Sequence, residues 1–267
     1  MIRDRRVRAG RSQLDVALDV GVSARHLSFV ELGKSRPSPE LVVLIADRLG
    51  APLREANDWL LAAGFAPRFP ERGLDAPAMA QVRRSLQQLL EAHEPLPAVV
   101  LDRRWTVQLT NQAAIRLADG ISGDEPRGDP TNLFRISLHP DGFGSRTRNF
   151  GAWSTYLLRQ LELAVSRTRD PELGALADEI ATWPNIPARN LWARPAPPNE
   201  SDIVVPWQLE HSGELLSMFT TMSTFGTPVD ITLSELTIEL FFAADEATEH
   251  AFRRHHRSDD RSAVPHS

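Results

Sequence analysis

Few residues in this chain have the type and spacing to do chemistry. Gly33-Lys34-Ser35 carries the last residues of a phosphate-binding loop, in which the lysine meets phosphate oxygens and the serine a magnesium ion. Such a loop needs a second glycine five positions before Gly33, and Ser28 stands there. The residues before it also have helical rather than strand character. DGFGS, Asp141 to Ser145, is glycine-rich but signals only a turn. His250, His255 and His256 cluster near the end, where a histidine-containing tail is a simpler reading than a metal site. No His-Glu-x-x-His, Gly-x-Ser-x-Gly or Gly-x-Gly-x-x-Gly pattern occurs, so no catalytic, metal or cofactor residue is assigned.

What remains is the chemistry of recognition. In VGVS, Gly21 interrupts a helical pattern, so two short helices meet at a tight turn. The second helix turns Leu27 and Val30 inward. It presents Ala24, Arg25, Ser28 and Phe29, and His26 joins them as a candidate DNA contact. Small and polar residues at the start of such a helix suit the major groove of DNA, where bulk would block approach. Arg25 can donate two hydrogen bonds to O6 and N7 of a guanine. Gln13, at the start of the first helix, can meet a phosphate or an adenine. Lys34 and Arg36 follow the second helix, where they would touch the DNA backbone and set orientation. A plain helical hairpin is the alternative, because many helix pairs are joined at a glycine.

Charge favours the DNA reading. The 267 residues carry a net charge of −5, which argues against indiscriminate binding to nucleic acid. Up to Arg36 there are eight basic and four acidic residues, so this part is +4 and the remainder is −9. A basic head on an acidic body fits a protein that touches phosphate at one end only. Cysteine is absent, which excludes disulfides and thiolate metal sites and suits a reducing cytoplasm. The N-terminus lacks the apolar stretch of a secretory signal, and no run of about 18 apolar residues predicts a membrane span.

Five helices are expected over residues 1–66. Ser12 caps one whose apolar face is Leu14, Val16 or Ala17, and Val20. Ser23 caps the next, Pro39 starts a third that Gly50 closes, and a fourth ends at Gly64. Residues 67–76 are rich in Pro and Gly and read as a linker. Residues 77–252 mix helices with strands. Two β-rich runs flank an Asp102-Arg103-Arg104 turn, and a hairpin turns at His211-Ser212-Gly213. In ELTIELFF, Leu236, Ile238, Leu240 and Phe242 alternate with Thr237, Glu239 and Phe241, which predicts a strand, with a helix as the alternative. A proline-rich loop covers 184–201, and residues 253–267 are expected as a disordered tail. The class is mainly α with an α+β second domain.

SQLDVALDVGVSARHLSFVELGKSRPS resembles the helix-turn-helix of the Cro/repressor (XRE) class. By position, Gln13, Ser23, Ala24, Arg25, Ser28, Phe29 and Lys34 match the DNA-contacting positions of that class. Leu32 departs from it, standing where a polar or basic residue is usual, and Met1 falls inside what relatives present as a longer first helix. PAVVLDRRWTVQLTNQAAIRLADG, TNLFRISLHPDG, NFGAW and TTMSTFGTPVDITLSELTIELFFAADEAT are similar to the MmyB-like regulators. That resemblance implies a PAS-like sheet packed with helices behind the bundle, and a body thought to bind a small molecule.

The body is rich in aromatic residues, and a curved sheet often leaves a cavity beneath its helices. Phe134, Trp153, Tyr156 and Phe219 are candidate lining residues, most large aromatics being ordinary core. Asn111, Arg135 and His139 are candidates to place a polar head group. Arg135 would grip a carboxylate by two contacts, or else form a surface ion pair. The expectation is a cytoplasmic, dimeric, sequence-specific regulator of double-stranded operator DNA, controlled by an apolar or fatty-acid-like ligand. The alternatives are an enzyme tethered to DNA by its head, and a ligand-free dimerisation scaffold.

Overall fold

The computed structural model describes residues 1–121, 123–192 and 204–262; part of the proline-rich stretch and the last five residues lie outside them. The chain forms two compact units, residues 1–79 with 225–235, and residues 80–224 with 236–267.

The first unit opens with α1 (Ile2–Arg8), α2 (Gln13–Asp19), α3 (Ala24–Glu31), α4 (Pro39–Arg48) and α5 (Leu53–Ala62). Local signals set the boundaries. The hydroxyls of Ser12, Ser23 and Ser38 accept from the amides of Asp15, His26 and Leu41 at 3.1–3.2 Å, each satisfying a donor that the helix start leaves open. Gly21 takes φ +69° between α2 and α3, a conformation that costs a glycine little. Val16, Ala17, Leu27, Val42, Ile45, Trp59 and Leu60 form the core. Leu14, expected on the inner face of α2, is 58% exposed; Val16, Ala17 and Val20 alone fill that face.

In the rest of the chain α6 (Ala80–Ala92) precedes β1 (Ala98–Leu101) and β2 (Val107–Thr110). Then come α7 (Gln112–Leu117), α8 (Leu133–Leu138), α9 (Phe150–Thr168) and α10 (Pro171–Ile180). β3 (Trp207–His211), β4 (Glu214–Thr224), α11 (Ile231–Glu235), β5 (Thr237–Ala243) and α12 (Glu246–Ser262) complete the order. The strands make one antiparallel sheet in the order β2-β1-β5-β4-β3, the PAS-like sheet expected. At its first turn, Asp102 Oδ1 accepts from the amides of Arg104 and Thr106 at 2.8 and 3.0 Å. At the hairpin, Ser212 and Gly213 both have positive φ, as a two-residue turn with the twist of the strands requires. In DGFGS, a Cβ on Gly142 would meet the Ile136 carbonyl oxygen at 2.3 Å, so that glycine serves a close backbone approach.

Three expectations need correction. Residues 67–76 are not a bare linker: Asn57 donates to the Phe69 carbonyl and accepts from the amides of Arg68 and Phe69, tying the segment to α5. Residues 225–235, expected in the body, belong to the first unit. There the Ile231 amide donates to the Pro70 carbonyl, Arg72 pairs with Asp230, and Arg54 with Glu235. Residues 253–262, expected as disordered tail, continue α12. Arg254 and His255 pair with Glu214, and His256 lies 3.8 Å from Glu94, partners that local composition does not reveal.

Candidate functional site

Two places in the structure have recognition chemistry. The first is the face formed by α2 and α3. Ala24, Arg25, Ser28 and Phe29 lie on α3 around its buried Leu27 and Val30. Arg25 is exposed, its guanidinium 5.3 Å from the centre of the Phe29 ring. Ser23 and His26 are joined by the cap bond at the start of α3. Lys34 is exposed just past the helix, its amide donating to the Phe29 carbonyl at 2.8 Å.

Most of the local positive charge is used internally. Arg6, Gln13 and Glu31 form a network joining α1, α2 and α3. Arg6 Nε and Nη2 donate to the two Glu31 oxygens at 2.6 and 3.0 Å, and Gln13 Nε2 donates to Oε2 at 2.7 Å. Burial pushes the Glu31 carboxyl up, but the bonds from Arg6 and Gln13 outweigh it and hold the group below its ordinary range. Gln13, expected to reach DNA with its amide, thus spends a donor within the fold. Arg5 and Arg8 pair with Glu55, and Arg11 with Asp19. Arg36 departs furthest from expectation. Its guanidinium donates to the carbonyls of Ala63 and Gly64, each at 2.8 Å, and lies 4.3 Å over the Phe65 ring. The carbonyls left open at the end of α5 recruit it, as helix C-termini recruit cations. Among the described residues, Arg25 and Lys34 form no ion pair.

The second place is a cavity of about 220 Å³ in the body. Its floor is one face of the sheet. Val99 stands opposite both Thr110 and Glu239 in the register, and all three line the cavity with Phe241 and Trp207. Ala114 and Leu117 of α7, Ile136 of α8, and Trp153 and Leu157 of α9 form the walls. Asp119, Arg127 and Thr131 come from the stretch between α7 and α8. Trp153 and Trp207 stack at 5.7 Å with an interplanar angle of 10°, and Trp207 lies 5.8 Å from Phe241. The Trp207 indole is fixed by its bond to the Thr147 hydroxyl at 2.9 Å.

Of the seven residues expected to hold a ligand, Trp153 lines this cavity and the other six do not. Asn111 caps α7, accepting from the amides of Ala98 and Ala114 and donating to the carbonyls of Leu90 and Leu96, which fills its side chain. Phe134 packs in the core against Trp105. Arg135 donates to the Glu125 carbonyl and pairs with Glu179, the ion-pair alternative. His139 packs edge-on to Trp183, its Nδ1 accepting from the Asp141 amide. Tyr156 lies against Trp153, their ring centroids 5.4 Å apart. Phe219 stacks on Phe242, on the sheet face opposite Phe241.

The residue missed is Glu239. It is 4% exposed; burial pushes its carboxyl up to about 7, opposed only by a hydrogen bond from the Thr220 hydroxyl. Its Oε2 has no partner among the described residues. Its signal was a carboxylate sharing a strand face with Phe241, in a run where apolar residues occupy both faces.

No helix among the described residues is long and apolar enough to cross a membrane. No curated protein matches the chain. Residues 2–55 match the helix-turn-helix family model, and residues 82–254, most of the chain, match that of the MmyB-like transcription regulator ligand binding domain. With a helix-turn-helix head and a cavity-bearing body, the chain belongs to the MmyB-like DNA-binding transcription regulators.

Proposed function

We propose that the protein binds operator DNA as a cytoplasmic homodimer and is controlled by a small apolar molecule held in the body. The observation that carries this reading is the cavity. A dimerisation scaffold gains from filling such a space with side chains, because interiors pack closely. Here about 220 Å³ stays open among Val99, Trp153, Trp207 and Phe241. Its apolar walls suit binding better than turnover, which favours a sensor over an enzyme. Pairing two heads doubles the phosphate contacts, which an acidic chain that spends most of its head's cations internally needs, and sets half-sites about one helical turn apart.

A fatty-acid-like carboxylate is the second reading of the ligand. Arg127 favours it: this residue, rather than Arg135, brings a guanidinium to the lining, with Nε unpartnered among the described residues.

Selection of duplexes from a random pool, followed by titration of variants, tests the DNA half. Arg25→Ala is expected to weaken the selected duplex by about 1–3 kcal/mol and to relax one base pair. Equal weakening on all sequences would contradict base reading by Arg25. Lys34→Ala is expected to weaken selected and unselected duplexes alike, and to flatten the log–log salt slope by about 1. An unchanged slope would remove Lys34 from the phosphate contacts.

A further inference from the structure

Six buried side-chain polar atoms have no hydrogen-bond partner among the described residues, and three of them belong to the cavity lining: Glu239 Oε2, Trp153 Nε1 and Arg127 Nε. Buried polar atoms are nearly always satisfied, so a cluster of exceptions at one cavity points to what the cavity holds. Glu239 decides the chemistry. It sits on the sheet floor beside Phe241, at the register position between Val99 and Met222, with no cation on either neighbouring strand position. A carboxylate so placed is costly unless a positive charge joins it. Trp153, Trp207 and Phe241 add ring faces, and rings attract cations in desolvated sites.

We infer that the cavity binds a small organic ammonium ion, its nitrogen held by the Glu239 carboxylate and its apolar skeleton by Trp153, Trp207 and Phe241. The inference rests on the reading of this cavity as the ligand site. Size limits the skeleton. A cavity of about 150 Å³ takes benzene, so one of about 220 Å³ takes roughly nine heavy atoms. The N–H groups of Trp153 and Arg127 ask for acceptors, which an oxygen on the skeleton meets. Arg127 is the opposing charge on the lining. Its Nη2 is committed to the Ala118 carbonyl at 2.9 Å, at the end of α7.

Thr220 of β4 donates to Glu239, burial and Glu239 push the Tyr156 hydroxyl of α9 up, and Asp119 and Arg127 are the other charged residues on the lining. None supplies a partner cation on the floor. The Glu239 carboxyl, at about 7, must lose its proton for an ammonium ion to bind. The binding-competent fraction therefore rises about tenfold between pH 6 and 8.

The test is calorimetry on the full chain with three probes of nearly equal size: 2-phenylethylamine, 2-phenylethanol and phenylacetate. The amine is expected to bind at least tenfold tighter than either analogue at pH 8. Its affinity should rise about tenfold from pH 6 to 8, with proton release at pH 6 seen in buffers of different ionisation enthalpy. Glu239→Gln is expected to weaken the amine at least tenfold and abolish its pH dependence, its fold checked by far-UV circular dichroism. If that variant does not fold, the wild-type pH series decides alone. Phenylacetate binding tightest, or amine and alcohol binding equally at both pH values, would overturn the inference while leaving the cavity a ligand site. No binding by any probe would overturn both.

Discussion

Glu31→Ala is expected to destabilise the head by about 3–5 kcal/mol. The reason is the network it anchors. Its side chain is 1% exposed and that of Arg6 10%, so removing the carboxylate leaves a guanidinium nearly buried and unpaired. Gln13 loses its acceptor as well, and α1, α2 and α3 lose their shared polar tie. A small domain has about 5–15 kcal/mol in total, so a loss of this size leaves it marginal. DNA affinity should fall with it although Glu31 is not on the reading face. Hydrogen exchange is the measurement, with amides of α1–α3 as reporters and body amides as the internal control. Faster exchange confined to the head supports the account; a loss under about 1 kcal/mol would contradict it. Glu31→Leu with Arg6→Met should recover most of the loss, because replacing both partners of a buried pair by apolar groups is often near neutral.

The second large effect is a pH dependence set by Glu239. Its folded value of about 7 stands above the ordinary 4.5. A group raised on folding contributes stability that is fully present below its unfolded value and is lost as pH rises through its folded value. The body should therefore lose stability between about pH 4.5 and 7, by about 3 kcal/mol for a rise of this size. His211 works the other way. Burial first, and then Arg146, lower its value, so its contribution is lost as pH falls below the ordinary 6.5. The difference between wild type and Glu239→Gln isolates the carboxyl. Denaturant titrations at pH 5 and 8 should show the variant gaining relative to wild type at the higher pH. A difference that does not change with pH would mean that Glu239 ionises freely in the folded body.

The head was legible in its sequence because its signals are local. Ser12, Ser23 and Ser38 cap the helices they precede, and Gly21 takes the left-handed turn between α2 and α3. Arg36 was not legible, because the carbonyls that bind it lie 27 and 28 residues further on. The same holds for residues 225–235, whose partners Arg54, Pro70 and Arg72 are more than 150 residues away. In the body, alternation pointed to β5 as a strand, but not to which of its faces bounds the cavity. Phe242 packs with Phe219 on one side, and the cavity lies on the other, beneath Glu239 and Phe241. Arg135 and His139 had the right chemistry for a head group, yet Glu179 and Trp183 engage them elsewhere.

The central claim is that the cavity and the DNA-reading face are coupled. A ligand controls DNA binding only if it favours one arrangement of the protein over another. Native mass spectrometry of the full chain with its selected duplex, titrated with the small molecule that co-purifies or binds best, tests this directly. The account predicts a ligand mass present in the native spectrum and lost on denaturation. It also predicts a factor by which ligand changes duplex affinity equal to the factor by which duplex changes ligand affinity. Ligand and duplex binding with no effect on each other would contradict it.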